Sequence, residues 1–376
     1  MTEISGFCDE KFAPVQAAFE QNFSEKGDVG ACVALSVEGE IVVDLWGGYR
    51  DEAKTEPWQE DTIVNVYSTT KTMAAQCALL LADRGQIDLY EPVATYWPEF
   101  AQNGKEKVEV RHFMSHSAGL SGMDEPMPIP DVYDWDKMVT ALAAQAPWWE
   151  PGSASGYHAL TQGHLIGEVV RRVTGKSLGT FFAEEIAGPL QADFHIGTGE
   201  EHFSRIGQLI APADAAADAQ SDSGEIARRT FKNPAISAHA SRTAQWRKAE
   251  IPAANGHGNA RSVVRAQTPM ANGGSAFGVD LMSADGVARI FDKQTDGHDH
   301  VLGVPLVFGM GYGLTSELMP MGPNERIAYW GGWGGSTIVV DQDAHLCCSY
   351  VMNKMEMGLL GDTRGFGLLQ AAYGSL

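Results

Sequence analysis

The sequence predicts an α/β (α+β) fold in which one antiparallel sheet, built from the N- and C-terminal segments, is flanked by helices and interrupted by an inserted, mostly helical region. Three observations predict it. Strand-like patterns occur near both ends of the 376-residue chain, helical spacing dominates the middle, and neither a clean linker nor an internal repeat divides the chain. Strands at both ends with helices between them are expected to share one sheet. We therefore assign residues 1–95 and 255–376 to a sheet domain and residues 96–254 to a mostly helical domain.

The N-terminal part carries a helix, a hairpin and a second helix. A helical pattern covers residues 11–24. Residues 31–46, "ACVALSVEGEIVVDLW", read as two strands, and the Glu-Gly pair at 38–39 suits a hairpin turn. Apolar and small residues then recur at helical spacing over 68–84, and Gly85 stands where a glycine is expected just beyond a helix end.

The rest of the chain continues with helices and returns to strands near its end. Helices are predicted over 107–115, 134–146, 159–174 and 362–373. Strands are predicted over 326–330, 335–341 and 346–352. Residues 212–262 are rich in Ala, Ser and Asp and weakly patterned, so we expect helices joined by long loops there.

Composition and charge exclude several classes of partner. The formal net charge is -21, and so acidic a surface repels nucleic acid and anionic membranes. No apolar run reaches the length of a membrane span, and the first residues lack the pattern of a signal peptide. The five cysteines include an adjacent pair, Cys347-Cys348, and make no disulfide framework. We expect a cytoplasmic protein, and composition does not indicate an oligomeric state.

The first chemical signal is a serine and a lysine three positions apart at the start of the predicted helix over 68–84. A serine hydroxyl is a poor nucleophile near neutral pH and needs a base close by. Residues three apart share one face of a helix, so Lys71 lies beside Ser68. The free N–H groups at a helix start favour an oxyanion and disfavour an ammonium, as does burial. The alternative is that Ser68 caps the helix and Lys71 is a solvated first-turn residue.

Three further motifs occur in order along the chain. They are "VRHFMSHSAGL" (110–120), "EPGSASGYHALTQGHLIGEVVRRVTG" (150–175) and "WGGWGGSTIVVD" (330–341). Together with "YSTTK" they resemble the serine β-lactamase and penicillin-binding-protein fold, and most closely the class C-like branch that includes family VIII carboxylesterases. The resemblance runs from about residue 30 to the C-terminus.

The resemblance implies a catalytic set. Ser68 matches the family's nucleophile and Lys71 its partner, while Tyr157 matches the tyrosine of the Tyr-x-Asn motif, a general base and acid. An adjacent lysine is expected to lower the pKa of that phenol. The backbone N–H groups of Ser68 and Trp333 are implied as the oxyanion hole.

Two positions depart from the β-lactamase pattern. Ala159 stands where Asn is usual, and Trp330-Gly331-Gly332 replaces Lys-Thr-Gly, as in family VIII esterases. Losing a cation and an amide removes contacts to an anionic lactam, and Trp330 offers an apolar wall to a neutral ester.

The expected activity is therefore a carboxylesterase that cleaves short-chain acyl esters through a Ser68 acyl-enzyme, without metal or cofactor. We predict that Trp330, Gly331, Gly332, Trp149 and His257 bind substrate, and that the helical domain lines the active site. Trp148, Trp246 and Trp333 are further candidates for an acyl pocket, although each suits a core or surface position equally well. A β-lactamase, D-aminopeptidase or acyltransferase on the same fold is the alternative, and a non-catalytic penicillin-binding module is another.

Other motifs carry weaker signals. No Gly-x-Ser-x-Gly surrounds any serine, so a nucleophile elbow is not supported. His112 and His116 are spaced to share a helix face, and packing or capping suits them better than a metal. Residues 298–300, His-Asp-His, are interpreted as a solvated turn. The Gly-rich segment 255–259 does not follow a phosphate-binding pattern, and either Asn255 or His257 within it is a candidate substrate contact.

Overall fold

The computed structural model describes residues 2–212 and 224–376, and a nine-stranded antiparallel sheet forms its centre. In chain order the strands of this sheet are β1 (Ile4–Cys8), β2 (Gly30–Val37), β3 (Glu40–Gly48), β4 (Thr295–His298), β5 (Pro305–Phe308), β6 (Gly313–Leu314), β7 (Ile327–Gly331), β8 (Thr337–Asp341) and β9 (Leu346–Met352). Their order across the sheet is β1-β3-β2-β9-β8-β7-β6-β5-β4. Both ends of the chain therefore contribute to one sheet, which confirms the predicted fold class.

The two halves of the sheet join where β2 pairs with β9. The register runs from Ala31 opposite Met352 to Val37 opposite Leu346. All seven residues of β9 are buried, as expected for a central strand that is covered on both faces. The pairing places the strand that begins at Gly30 beside the strand that ends at Met352, so segments from both ends of the chain lie next to each other in one sheet.

Helices cover both faces of the sheet. Those of eight or more residues in the described ranges are α1 (Ala13–Ser24), α2 (Thr70–Asp83), α3 (Trp135–Ala144), α4 (Thr161–Thr174), α5 (Glu225–Lys232), α6 (Ala260–Ala271) and α7 (Thr363–Gly374). Shorter helices span Val110–Met114, Ile129–Val132, Leu178–Phe182, Gly188–Leu190, Ala244–Lys248 and Ala284–Ala288. Helix α6 packs on β2, β8 and β9, while α1 and α7 pack together and α7 also contacts β9.

Several predicted elements are confirmed in detail. The turn between β2 and β3 has left-handed backbone at Glu38 (φ 51°) and Gly39 (φ 82°), the geometry of a tight hairpin turn. Helix α2 buries every residue from Thr70 to Ala82, and the chain leaves it through Gly85 at φ 67°. This helix is central to the fold because it is buried on all sides.

Other elements escaped prediction. Strand β1 lies at the sheet edge, has mostly exposed side chains and contains Gly6 at φ 112°, so it lacks an apolar alternation. Strands β4, β5 and β6 have two to four residues each and depend on their neighbours' backbone hydrogen bonds. Helix α6 begins inside the weakly patterned region 212–262, of which residues 213–223 lie outside the described ranges. The domain boundaries remain a prediction.

Within the described ranges, no helix combines the length and the apolar character that crossing a bilayer requires.

Candidate active site

Ser68 lies in a short 3₁₀ turn, Tyr67–Thr69, that runs directly into α2. Ser68 is partly open to solvent, although the residues on either side of it are buried. Tyr67 adopts a left-handed backbone at φ 44°, an unfavourable conformation for a bulky residue. The Thr70 hydroxyl donates to the Tyr67 carbonyl at 2.5 Å, and the Tyr67 ring packs 5.2 Å from Trp333. These contacts hold the turn in the conformation that leaves Ser68 partly exposed.

Lys71 is buried against Ser68 and two backbone carbonyls. Its Nζ atom lies 3.1 Å from Ser68 Oγ, 2.8 Å from the Ala159 carbonyl and 2.9 Å from the Ala253 carbonyl. Burial holds the pKa of Lys71 well below its usual range. As a neutral amine, Lys71 can donate two N–H groups to the carbonyls and accept the Ser68 hydroxyl proton with its lone pair. The three contacts therefore suit a base as well as an ammonium.

Tyr157 completes the cluster from the loop before α4. Its hydroxyl lies 2.5 Å from Ser68 Oγ, and Lys71 Nζ lies 4.6 Å from the centre of the phenol ring. Burial raises the pKa of Tyr157, and the hydrogen bond with Ser68 opposes that rise only in part. The expectation that Lys71 lowers the pKa of this phenol was wrong. With both groups buried, the uncharged amine and phenol are the favoured pair.

Asp299 anchors the backbone of Tyr157, and sequence analysis missed this role. The prediction of a solvated turn at 298–300 is wrong for Asp299, which is 1% exposed. Its Oδ1 atom accepts from the backbone N–H groups of Tyr157, Val301 and Leu302 at 3.0, 2.9 and 2.8 Å. An aspartate can satisfy three amides because a carboxylate oxygen offers more than one lone pair. The polar character of its neighbours in sequence conceals this burial.

Replacing Asp299 with alanine is expected to lower the free energy of unfolding by about 3 kcal/mol, because three buried amides lose their acceptor. We expect kcat to fall about tenfold as well, since Tyr157 is held less firmly. Asp299→Asn is the matched control, because it keeps the Oδ1 acceptor and is expected to have the smaller effect on both quantities. Urea unfolding and ester hydrolysis measure the two changes. An Asp299→Ala protein with unchanged stability would contradict the anchoring role.

Two aromatic side chains, His116 and Trp330, pack against the Tyr157 ring. Its ring lies 5.0 Å from the His116 ring and 5.4 Å from the Trp330 ring, measured between centroids. His116 Nδ1 accepts from the His158 amide, and burial together with neighbouring His158 and Lys71 holds the pKa of His116 well below its usual range. Trp330 is 2% exposed. The indole packs against the phenol, so in this structure it supports Tyr157 and is not an open wall.

The glycines after Trp330 allow the end of β7 to approach Ser68 closely. A Cβ atom at Gly332 would lie 2.1 Å from the Val66 carbonyl and 3.2 Å from the Ser68 amide nitrogen. At Gly331 it would lie 2.6 Å from the backbone of Leu360. Neither position accepts a side chain without a backbone shift. Within the described ranges, the backbone N–H groups of Ser68 and Trp333 have no backbone acceptor. This is the condition expected of N–H groups that donate to a ligand.

The remaining predicted substrate contacts lie in different environments. Trp149 is partly buried, donates to the Ala154 carbonyl at 3.0 Å and covers Gly156, so it lies next to the segment that carries Tyr157. His257 is fully buried and its Nδ1 lies 2.8 Å from the Asn255 carbonyl. This structure does not bring the His257 ring to a surface that a substrate can reach.

The other candidate residues also have structural partners. The Asn255 amide donates to the Trp246 and Ala249 carbonyls, and Trp246 is completely buried. His112 Nδ1 accepts from the Glu109 amide and so caps a short helix. Local hydrogen bonds therefore account for Asn255 in segment 255–259 and for His112 in segment 110–120.

Ser68 lies at the start of a buried helix and is hydrogen bonded to a lysine one turn further on and to a tyrosine from another segment. This arrangement, on this fold, is that of a serine hydrolase. The chain belongs to the Beta-lactamase family, whose model matches residues 17–372.

Similar proteins carry related names. The chain is 36% identical over 377 residues to the "Esterase/beta-lactamase LipL" of Mycobacterium tuberculosis, covering 96% of this chain and 86% of that protein. The crystal structure of a family VIII carboxylesterase superposes with a TM-score of 0.94 at 42% identity over the full length of both chains. A penicillin-binding protein homolog from Caulobacter crescentus gives a TM-score of 0.93 at 38% identity, again over both full chains.

Proposed function

We propose that this protein is a carboxylesterase that cleaves short-chain acyl esters through an acyl-enzyme on Ser68. One observation carries the proposal: Ser68 Oγ, on a partly exposed turn, lies within 3.1 Å of Lys71 Nζ and 2.5 Å of the Tyr157 hydroxyl. A hydroxyl with two proton-handling neighbours is an activated nucleophile. The esterase named among the relatives and the family VIII carboxylesterase support the same chemistry.

Acylation uses the neutral amine of Lys71 as the base. Ser68 Oγ attacks the ester carbonyl while its proton passes to Lys71, so a C–O bond forms and the carbonyl oxygen becomes an oxyanion. When the tetrahedral intermediate collapses, the bond to the leaving alkoxide breaks and Tyr157 donates a proton to that alkoxide. The Lys71 ammonium then returns its proton to Tyr157. The step ends with an acyl-serine, a free alcohol and both residues neutral again.

Deacylation repeats the sequence with water as the nucleophile. Water loses a proton to the Lys71 and Tyr157 pair as it attacks the acyl carbon. The bond to Ser68 Oγ breaks, and the serine recovers its proton from the same pair. The apparent pKa values of the two residues therefore belong to the pair.

The proposed oxyanion hole consists of the Ser68 and Trp333 amides. Its support is the approach of Gly332 to the Ser68 nitrogen and the absence of backbone acceptors for these two amides in the described ranges. Donors of this kind typically stabilise the transition state by about 3 kcal/mol each.

A fluorophosphonate probe tests the nucleophile directly. We expect stoichiometric labelling, with the added mass on the peptide that contains Ser68. Labelling elsewhere, or none, would contradict the proposed acyl-enzyme. Trapping an acyl group on the same serine from a slow ester would extend the result to the carbonyl substrate.

Comparing an ester with a lactam tests the substrate class. We expect kcat/KM for p-nitrophenyl butyrate to exceed that for nitrocefin by about 100-fold or more, because Trp330 supplies no cation for a lactam carboxylate. The same relative is named "Esterase/beta-lactamase", which makes a lactam the second candidate substrate. A nitrocefin rate above the ester rate would make lactam hydrolysis the better assignment. The esters used should span acetyl to decanoyl chains, since the proposal also predicts a preference for short acyl groups.

We also propose a cytoplasmic location and a small-molecule ester as the substrate. All five cysteines are unpaired, as is usual in a reducing compartment. Fractionation of the native host tests the location.

A further inference from the structure

A buried ion pair lies behind the glycine-rich turn that follows β7. Arg364, in the first turn of α7, has a side chain 2% exposed and contacts Asp28, whose side chain is completely buried, at 2.8 Å. The Tyr350 hydroxyl donates to the same carboxylate at 2.7 Å. Burying a guanidinium costs free energy unless its N–H donors have acceptors. The acceptors of Arg364 therefore indicate its structural role.

All five N–H groups of Arg364 have acceptors. Nη1 donates to Asp28 and to the Lys354 carbonyl at 2.8 Å, Nη2 donates to Asp362 at 2.6 Å, and Nε donates to Asp362 at 3.1 Å. The remaining Nη2 hydrogen goes to the Gly334 carbonyl at 2.8 Å. A planar fork of five donors fixes these acceptors relative to one another.

Gly334 belongs to the turn that presents the Trp333 amide. The Gly335 amide donates to the Gly332 carbonyl at 3.1 Å, and the Gly332 amide donates to the Ser336 carbonyl at 2.8 Å. Gly334 and Gly335 have φ values of 100° and 124°, and glycine backbones are intrinsically free to move. These two hydrogen bonds close the turn locally, and contacts with other segments hold it in place relative to Ser68.

Arg364 and its partners fill the space beside this turn. A Cβ atom at Gly335 would lie 2.3 Å from Asp362 Oδ2 and 2.7 Å from Arg364 Nη2. The Gly334 carbonyl also accepts from the Glu356 amide at 3.0 Å. The turn is thus clamped on one side by the ion-pair network and bounded on the other by Ser68.

We propose that Arg364 is a positioning residue for the oxyanion hole, which it serves by holding the Gly334 carbonyl and thereby the Trp333 amide at its distance from Ser68. This inference rests on the proposed function, because it assumes that the Trp333 amide binds the oxyanion of an ester. Arg364 itself touches neither Ser68 nor the reacting atoms.

Arg364→Lys tests this role because it keeps the positive charge for Asp28 but replaces five fixed donors by three flexible ones. With p-nitrophenyl butyrate we expect kcat to fall about 10- to 100-fold, with KM changed less than about threefold. The decisive readout is a thionoester of the same acid, whose sulfur accepts hydrogen bonds poorly. The ester-to-thionoester rate ratio is expected to fall in the variant, because the wild-type ratio depends on the oxyanion donors.

Two further variants keep the test decisive. Asp362→Asn removes one partner of Arg364 while asparagine can still cap α7, and it is expected to lower kcat and the ester-to-thionoester ratio less than Arg364→Lys. If Arg364→Lys does not fold, this variant decides the question. Arg261→Lys is the matched control, because Arg261 also forms an ion pair, with Asp44, but on α6. Its kcat and rate ratio are expected to equal those of the wild type.

The outcomes separate this inference from the proposed function. An active wild type together with folded Arg364→Lys and Asp362→Asn proteins that keep the wild-type kcat and rate ratio would overturn the inference alone. A wild type without ester hydrolysis would overturn both.

Discussion

Replacing Ser68 with alanine is expected to abolish ester hydrolysis, with kcat for p-nitrophenyl butyrate falling at least about 10⁴-fold. The reason is that Lys71 and Tyr157 both act through Ser68 Oγ, to which each is hydrogen bonded. Without this oxygen no covalent intermediate forms, and only direct attack by water remains. Steady-state hydrolysis and fluorophosphonate labelling are the measurements, and labelling is expected to disappear together with activity.

The matched control is Ser349→Ala. Ser349 is a buried serine of β9 whose hydroxyl donates to the Thr337 carbonyl at 2.8 Å, so its loss affects stability and is expected to leave kcat within about twofold of the wild type. Ester hydrolysis that persists in a folded Ser68→Ala protein at more than about a tenth of the wild-type rate would remove the acyl-enzyme mechanism.

Replacing Lys71 with arginine is expected to lower kcat about 10³-fold or more. Arginine keeps the positive charge but stays protonated at every accessible pH, so it cannot accept the Ser68 proton. The present contacts of Lys71 Nζ, with two carbonyls and one hydroxyl, leave the lone pair of the neutral amine for that proton. The loss of kcat therefore measures general-base catalysis separately from charge.

Lys105→Arg provides the control for this substitution. Lys105 is also completely buried and donates to backbone carbonyls, including that of Gln102 at 2.9 Å, and burial lowers its pKa to about 8. It has no contact with Ser68. The substitution is expected to affect stability and not kcat. A Lys71→Arg protein as active as Lys105→Arg would show that Lys71 is not the base.

The dependence of kcat/KM on pH provides a second test of Lys71 as the base, because it reports the pKa of that base. The base works when neutral, so kcat/KM falls tenfold per pH unit below the pKa of the group. Because burial holds the pKa of Lys71 well below its usual range, this decline is expected well on the acid side of pH 10, with a plateau above it. A rate that keeps rising tenfold per unit up to pH 10 would indicate a lysine with its ordinary pKa.

Much of the site could be predicted because its first two residues are local neighbours. The spacing of Ser68 and Lys71 at a helix start determines that they share a face, whatever surrounds the helix. The strand patterns near both ends predicted the single sheet, since alternating and continuous apolar runs report burial directly. Tyr157 entered only through the resemblance to the family, because nothing in its own surroundings distinguishes it from a core tyrosine.

The supporting contacts could not be predicted from sequence. The carbonyls of Ala159 and Ala253 that hold Lys71 are backbone atoms, and any residue type supplies one. Asp299 occurs in a polar stretch that is typical of a solvated turn, and Arg364 is an ordinary charged residue at a helix start. Both are buried only because segments far apart in sequence close over them.

The sequence by itself determined which residues share an element: five of the nine strands of the sheet (β2, β3, β7, β8 and β9), the buried helix α2, and the serine and lysine at the N-terminal end of that helix. These follow from periodicity and spacing, which depend only on neighbours along the chain. The tertiary structure decided the 2.5 Å approach of Tyr157 to Ser68 and the lowered pKa of Lys71. Both depend on the exclusion of water by packing between residues about 90 to 180 positions apart, which no local pattern records.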